Sequence, residues 1–255
     1  MIDVNVNLSR WPLRRLTGDE PDRLVKELRK RNVTQAWAGT FDGLLHKDLA
    51  SANQRLADDC RRYGQGILLP FGSINPKLPD WQEDLRRCHE DHKMPGIRLH
   101  PNYHAYDLRD AAFAELLRLA AARRLVVQIA VSMEDERTQH PLMRVPPVDL
   151  TPLPDLLKNE PGLRLVILNT DPKHDSALLE KLTATGRAHF DISMVEGVGG
   201  VARLAQKTSV RHVLFGSHYP LFYFESALLK VREAGFPDAE ARAVLEENAR
   251  KLLEA

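Results

Sequence analysis

Asn5 and Asn7 close the first apolar, strand-like run of this sequence, and Arg98 and His100 close the fourth. Gln128 lies within the fifth, Asn169 and Asp171 end the sixth, and Asp191 lies on the seventh. Ser217, His218 and Tyr219 follow the eighth. A polar group inside an apolar strand costs free energy unless it is paired, so this recurrence predicts a shared binding site. For any single residue, a hydrogen bond to a neighbour is the alternative. Arg98 brings fixed positive charge that suits a carboxylate or another small oxyanion, gripped bidentately. An internal salt bridge from Arg98 to Asp191 or Glu196 is the competing reading. His218 carries the side chain whose ordinary pKa best suits proton transfer near neutrality. It reads equally as a histidine whose ring is simply satisfied. His46, His89, His92 and His189 read as ordinary surface or helix residues. Trp11-Pro12 reads as a pocket wall or as packing. Residues 133–137 with His140-Pro141 read as a lid or as a solvated charge cluster.

These residues need a scaffold that brings strand ends together. Apolar content and flanking turn residues mark strands at 2–7, 34–39, 66–74, 96–100, 125–131, 164–169, 188–193 and 212–216. Helical spacing marks 20–31, 48–63, 81–91, 110–123, 176–185, 198–207 and 222–234 between and after them. A last helix at 238–253 has Asp238 as its expected N-cap. Strand and helix alternate, which predicts parallel strands with right-handed crossovers. The expected fold is α/β: one (β/α)₈ TIM barrel over residues 1–255 with a C-terminal closing helix. An open, doubly wound sheet is the structural alternative. In the barrel, the active site lies at the C-terminal strand ends, where the polar residues above are found. The proline-rich stretch 132–154 breaks the rhythm and reads as a long functional loop with a short helix after it.

Composition narrows the partners. The 255 residues are 43% apolar, enough for one sizeable core. Lys plus Arg number 36 against 35 Asp plus Glu, so no charge excess calls for nucleic acid or an anionic membrane. The two cysteines, Cys60 and Cys88, sit in charged helical stretches and read as reduced thiols. No leader-like segment opens the sequence, and no apolar run approaches the roughly 18 residues of a membrane span. A soluble, cytoplasmic protein is expected, with self-association left open.

Ile2-Asp3-Val4-Asn5-Val6-Asn7 resembles the opening Ile-Asp-x-His-x-His strand of amidohydrolase-related proteins, with both histidines replaced by asparagine. Gly96-Ile97-Arg98-Leu99-His100-Pro101 resembles their fourth strand, Gly-Ile/Val-Lys/Arg-Leu-His-Pro. Residues 125–130 and 165–169 resemble the fifth and sixth strands, with Ala130 and Asn169 where the family ends in histidine. Phe215-Gly216-Ser217-His218-Tyr219-Pro220 is similar to Phe-Gly-Ser-Asp-Tyr/Phe-Pro, with His218 in place of the aspartate that is metal ligand and general base. Asn248-Ala249-Arg250-Lys251-Leu252-Leu253 is similar to the closing helix. The resemblance implies metal-assisted hydrolysis, yet neutral amides, an alanine and one imidazole do not make a divalent site. No cofactor is therefore expected; a metal would need Asp171, Asp191 or His100 recruited from new directions.

Two functions follow as expectations. The first is an enzyme acting on a small carboxylated substrate by hydrolysis, decarboxylation or lactone opening, without a tightly held metal. Arg98 and His218 would be its catalytic pair, Arg98 holding the anion and His218 moving a proton. Asn5, Asn7, His100, Asn169, Asp171 and Tyr219 would bind substrate. The second is a catalytically retired barrel that binds a metabolite or a protein partner.

Overall fold

The computed structural model describes residues 1–171 and 176–255. Strands β1 (Ile2–Leu8), β2 (Gln35–Thr40), β3 (Leu68–Ser73) and β4 (Gly96–Leu99) are followed by β5 (Val126–Ala130), β6 (Arg164–Leu168), β7 (Ala188–Asp191) and β8 (Val213–Leu214). All eight are parallel and lie in sequence order in one sheet. The seam between β8 and β1 is drawn together by main-chain hydrogen bonds. Val4 N donates to Phe215 O, His218 N to Asn5 O, and Asn7 N to Tyr219 O, at 2.8–3.0 Å. This is a (β/α)₈ barrel, as the alternating pattern predicted, and not an open sheet.

Helices α1 (Pro21–Lys30), α2 (Asp42–Leu45), α3 (Leu49–Tyr63), α4 (Trp81–Arg86) and α5 (Ala111–Ala122) come from the first half of the chain. The second half contributes α6 (Leu153–Asn159), α7 (Ser176–Ala184), α8 (Gly200–Thr208), α9 (Phe224–Glu233), α10 (Asp238–Arg242) and α11 (Asn248–Glu254). α3 begins where Asp48 caps it by accepting from Ser51 N. The expected cap Asp238 is instead the first residue of α10, and Pro237 holds the cap position. Proline fixes φ near the value a helix start requires, so it sets the boundary one residue earlier. The short α2 was not foreseen, since four residues carry too little periodicity to read. β8 is also shorter than its sequence run, because the chain leaves the sheet at Phe215 to build the site.

Two apolar layers follow from strand alternation. Val127, Ile129, Leu165, Ile167 and Phe190 face outward into the large core shared with the helices. Ile2, Val4, Trp37, Phe71, Val126, Val166 and Leu214 fill the barrel interior, where Trp37 stacks on Phe71 at 5.0 Å. β1 changes allegiance midway: Ile2 and Val4 join the inner layer, whereas Val6 and Leu8 join the outer one. Its register against β2 shifts between Asp3 and Val6. An extra residue in a strand re-aims the side chains that follow it, and here it lets Asn5 and Asn7 meet the barrel interior. Cys60 and Cys88 are buried free thiols within the outer core. Among the described residues no helix is long and apolar enough to cross a membrane.

Candidate functional site

Arg98 is the centre of the polar layer. It projects from β4 across the barrel and is almost completely buried. Its Nε donates to Gln128 Oε1 at 2.8 Å, and Nη1 donates to Val6 O and Asn7 Oδ1 at 2.9 and 2.8 Å. Nη2 donates to Trp37 O at 2.9 Å and Val4 O at 3.3 Å. A guanidinium has five N–H groups, and these five bonds use all of them. Space for the side chain comes from Gly39 on β2, where a Cβ would lie 2.6 Å from Nη1 and 2.9 Å from Cδ. Burial lowers the Arg98 pKa to about 10, opposed by the charges of Asp191 and Asp3, so the group stays cationic at neutral pH.

His218 follows β8 in the left-handed backbone region, at φ 57°. Its Nε2 lies 2.9 Å from Met133 O, and its Nδ1 lies 3.3 Å from Asn7 Nδ2. A carbonyl oxygen only accepts, so Nε2 carries the proton and Nδ1 accepts from the Asn7 amide. Complete burial pushes the ring pKa down to about 4; the Met133 carbonyl opposes this and the Arg98 charge adds to it. The imidazole is therefore neutral at physiological pH, with both nitrogens occupied.

The far side of the layer is an amide–carboxylate cluster. Asn5 Nδ2 donates to Asn169 Oδ1 at 2.6 Å and to Asp191 Oδ2 at 2.8 Å. Asn169 N donates to Asp191 Oδ1, Asn169 Nδ2 donates to Ser132 O, and Ser193 Oγ donates to Asn169 Oδ1. Burial raises the Asp191 pKa, against the lowering effect of its Asn5 and Ser193 hydrogen bonds. Gly216 is needed here, because a Cβ would meet Asp191 Oδ2 at 2.6 Å and Asn5 Cβ at 3.1 Å. Asp3 also belongs to the cluster, accepting from Ser217 Oγ at 2.5 Å and from the main-chain N–H of Asn5 and Ser217. Burial raises Asp3 to about 7 despite these donors. Sequence reasoning passed over Asp3, although a carboxylate inside a run of Ile and Val was itself the signal.

The structure thus brings Asn5, Asn7, Arg98, Asn169 and His218 together, and with them Gln128, Asp191 and Asp3. His100 is buried beside them, its pKa driven well below the ordinary value first by burial and then by its neighbours His104, Arg98 and His218, next to which a second positive charge is unfavourable. Neither of its ring nitrogens has a protein hydrogen-bond partner, and neither does Asn5 Oδ1. Asp171 is elsewhere: it lines a separate cleft with Leu179, Arg203 and Lys207. Tyr219 turns away from the axis, packing on Phe224 and under the Arg31 guanidinium, with its hydroxyl 3.4 Å from Thr17 O. His189, read from the sequence as an ordinary surface or helix residue, lies on β7 against His212 at 5.2 Å and is held neutral at about pKa 4 by burial.

Above the polar layer lies an apolar cap. Trp11, Phe41, Leu44, Ala130, Met133 and Leu221 form one buried cluster, with Trp11 edge-on to Phe41 at 5.2 Å. Trp11 is packing within this cap. The 132–154 loop contributes Met133 to the cap and Glu134 to a 2.5 Å ion pair with Arg14 of the first loop. Asp135 and Arg137 in the same loop form an exposed pair, and His140 is exposed.

The residues at the inherited ligand places do not fit a divalent ion. Asn7 Oδ1 already accepts from Arg98, Asn169 Oδ1 accepts two donors, Ala130 has none to offer, and His218 is occupied at both nitrogens. A buried guanidinium at their centre repels a cation. Among the described residues no group of three His, Cys, Asp or Glu side chains could hold a metal.

An amidohydrolase family model matches residues 12–255. The chain belongs to the amidohydrolase family. No curated protein matches it. Among solved structures of the same fold is a dihydroxybenzoic acid decarboxylase from Polaromonas with bound manganese and 2-nitroresorcinol. It is 11% identical, with a TM-score of 0.72, over 99% of this chain and 97% of that one. The 4-oxalomesaconate hydratase of Rhodopseudomonas palustris is 16% identical, with a TM-score of 0.73, over 100% and 95% of the two chains. The 5-carboxyvanillate decarboxylase of Sphingomonas paucimobilis is 14% identical, with a TM-score of 0.72, over 90% and 82%. Identities this low establish the shared barrel; the chemistry must be argued from the residues.

Proposed function

We propose that this chain is an amidohydrolase-family barrel that has left catalysis and works by binding through the loops around its mouth. The observation that carries this is the closed account of hydrogen bonds around Arg98. All five of its N–H groups serve protein acceptors, so none is left to grip a substrate carboxylate. This departs from the expectation that Arg98 is an anion receptor; it is a cross-barrel tie. The salt bridge to Asp191 or Glu196 is not its partner either, since main-chain and amide oxygens are. His218 is likewise a poor general base, neutral but with Nδ1 already accepting and Nε2 already donating. The outer face points the same way. Seven large apolar side chains are exposed among the described residues; five of them, Leu13, Leu142, Met143, Val198 and Tyr223, lie in loops that follow strands, and Leu45 ends the short α2 after β2. Exposed apolar groups gathered on one face mark interaction surfaces.

One observation favours the enzyme reading: His100 is buried with both ring nitrogens unpartnered, as a group awaiting a small hydrogen-bonding guest would be. Structures sharing this fold are named for acting on dihydroxybenzoic acid and 5-carboxyvanillate, so that guest would be a small carboxylate. The test is a turnover screen of lactones, amides and carboxylated aromatics, with and without chelator, on wild type and His218→Ala. No turnover is expected, and elemental analysis after dialysis should find far less than one equivalent of zinc, manganese or iron. Turnover that survives chelator but is lost in His218→Ala would overturn the proposal in favour of a metal-free enzyme. Turnover lost on chelation, or stoichiometric metal, would restore the ancestral chemistry.

A further inference from the structure

The opposite end of the barrel, where helices turn back into strands, carries a cleft remote from the polar layer. His89, Glu90, Arg123, Arg124, Arg164 and Leu253 line it. Arg123 and Arg124 lie between α5 and β5, and Arg164 opens β6, the strand beside β5. Adjacent strand starts thus deliver three guanidinium groups to one recess. Their main-chain partners occupy one nitrogen of each. Arg123 Nη1 donates to Leu119 O, Arg124 Nη2 to Ala255 O, and Arg164 Nη1 to Leu252 O and Leu253 O. Arg123 and Arg164 therefore keep the edge formed by Nε and Nη2, the pair of parallel donors that holds an oxyanion bidentately. Arg123 Nε is shut off from water and has no acceptor in the protein.

Carboxylates of the chain do not fill this place. Among the described residues none of the three arginines forms an ion pair with a side chain. Glu90 is held by Arg86, and Arg86 with Arg87 serves Glu83, Glu90 and Asp91, which leaves one negative charge over. Arg124 is met by Ala255, the last residue. Arg123 and Arg164 still outnumber what remains. Burial first, and then the charge of Arg124, hold the Arg164 pKa below its ordinary value, with no carboxylate side chain opposing them.

We propose that Arg123 and Arg164 together bind one phosphate group, either the free ion or that of a small phosphorylated molecule. Two guanidinium edges ask for more oxygens than the two of a carboxylate, and a tetrahedral phosphate offers three or four. Its negative charge also relieves the repulsion between Arg124 and Arg164. The site is independent of the loops at the mouth, so its failure would leave the proposed function untouched.

Calorimetric titration of the full chain should give saturable binding of inorganic phosphate, one per chain, and none of acetate or chloride at the same ionic strength. Phosphate should also raise the Tm above that in matched chloride, because it binds the folded state alone. Arg123→Gln and Arg164→Gln should each weaken binding by on the order of 10-fold. Arg164→Gln also takes a donor from Leu252 O and Leu253 O, so circular dichroism checks its fold, and Arg123→Gln, whose main-chain bond stays within the end of α5, gives a second reading. Glycerol phosphate binding more tightly than inorganic phosphate would support the site with a phosphorylated molecule as its occupant, and equal affinity would support it with the free ion. Phosphate no better than acetate or chloride would overturn the proposal, as would binding unchanged in both variants. So would affinity for duplex DNA that rises with its length, which would mark a nucleic-acid surface instead.

Discussion

Arg98→Met should yield little or no folded protein, and any that folds should be less stable by at least about 5 kcal/mol in denaturant titration. Methionine fills much of the same space and removes a buried charge. Exchanging buried ions for apolar groups is often harmless when every partner is exchanged too. Here that is impossible, because three partners are main-chain carbonyls: Val4 O, Val6 O and Trp37 O. Val4 O keeps a donor in Gln128 Nε2, but Val6 O, Trp37 O, Asn7 Oδ1 and Gln128 Oε1 each lose one. A buried acceptor left unmatched costs about 1–3 kcal/mol, and four together approach the whole stability of a typical domain. Arg98→Lys retains the charge but offers three donors from one point, so an intermediate loss is expected. A well-folded Arg98→Met protein with near-native stability would remove the structural role and return Arg98 to the list of substrate ligands.

The second large effect is on pH. The His218 ring has a folded pKa of about 4, below the ordinary 6.5. The unfolded chain therefore takes up a proton first as pH falls. The stability that comes from keeping this ring neutral is fully present above 6.5 and is lost progressively as pH drops from 6.5 to 4. The gap corresponds to about 3 kcal/mol. His189 adds in the same direction over the same window, and buried His100 does so as well. Asp3 works oppositely: its folded pKa of about 7 lies above the ordinary carboxylate value, so its contribution is present at acid pH and fades as pH rises toward 7. Wild type should thus lose stability steeply from pH 6.5 to 4.5. His218→Gln can still donate to Met133 O and accept from Asn7, but cannot be protonated. Its stability should fall less steeply across that range, with about one fewer proton taken up on unfolding. Equal slopes for the two proteins in urea titrations would show that the ring is not held neutral by the fold.

Most of the scaffold was legible because its causes are local. Apolar runs such as Val126–Ala130 and Arg164–Leu168 announce buried parallel strands, and helical spacing over 48–63 announces α3. Asn5, Asn7, Asn169 and His218 could be placed together because strand ends in a barrel converge. What they do there was not legible. The partners of Arg98 and His218 are largely carbonyl oxygens, at Val4, Val6, Trp37 and Met133, and a main-chain acceptor has no letter in the sequence. Gly39 carried a usable hint, since glycine inside an apolar strand often marks close approach of another group. Asp171 and Tyr219 lie off the axis, three and five residues past the ends of β6 and β8, and no letter in the sequence tells which residues of such a turn face the centre and which face the helices.

The cap above the polar layer has a consequence for time rather than energy. Its side chains come from four different connections: Trp11 after β1, Phe41 and Leu44 after β2, Met133 after β5 and Leu221 after β8. No single loop can swing aside and admit solvent, because the remaining three still cover the centre. Opening needs several segments to part together, and such cooperative excursions are rarer and slower than the fluctuation of one loop. The Asn5, Asn7 and Asn169 amide protons should accordingly outlast those of the surrounding loops by orders of magnitude in hydrogen–deuterium exchange.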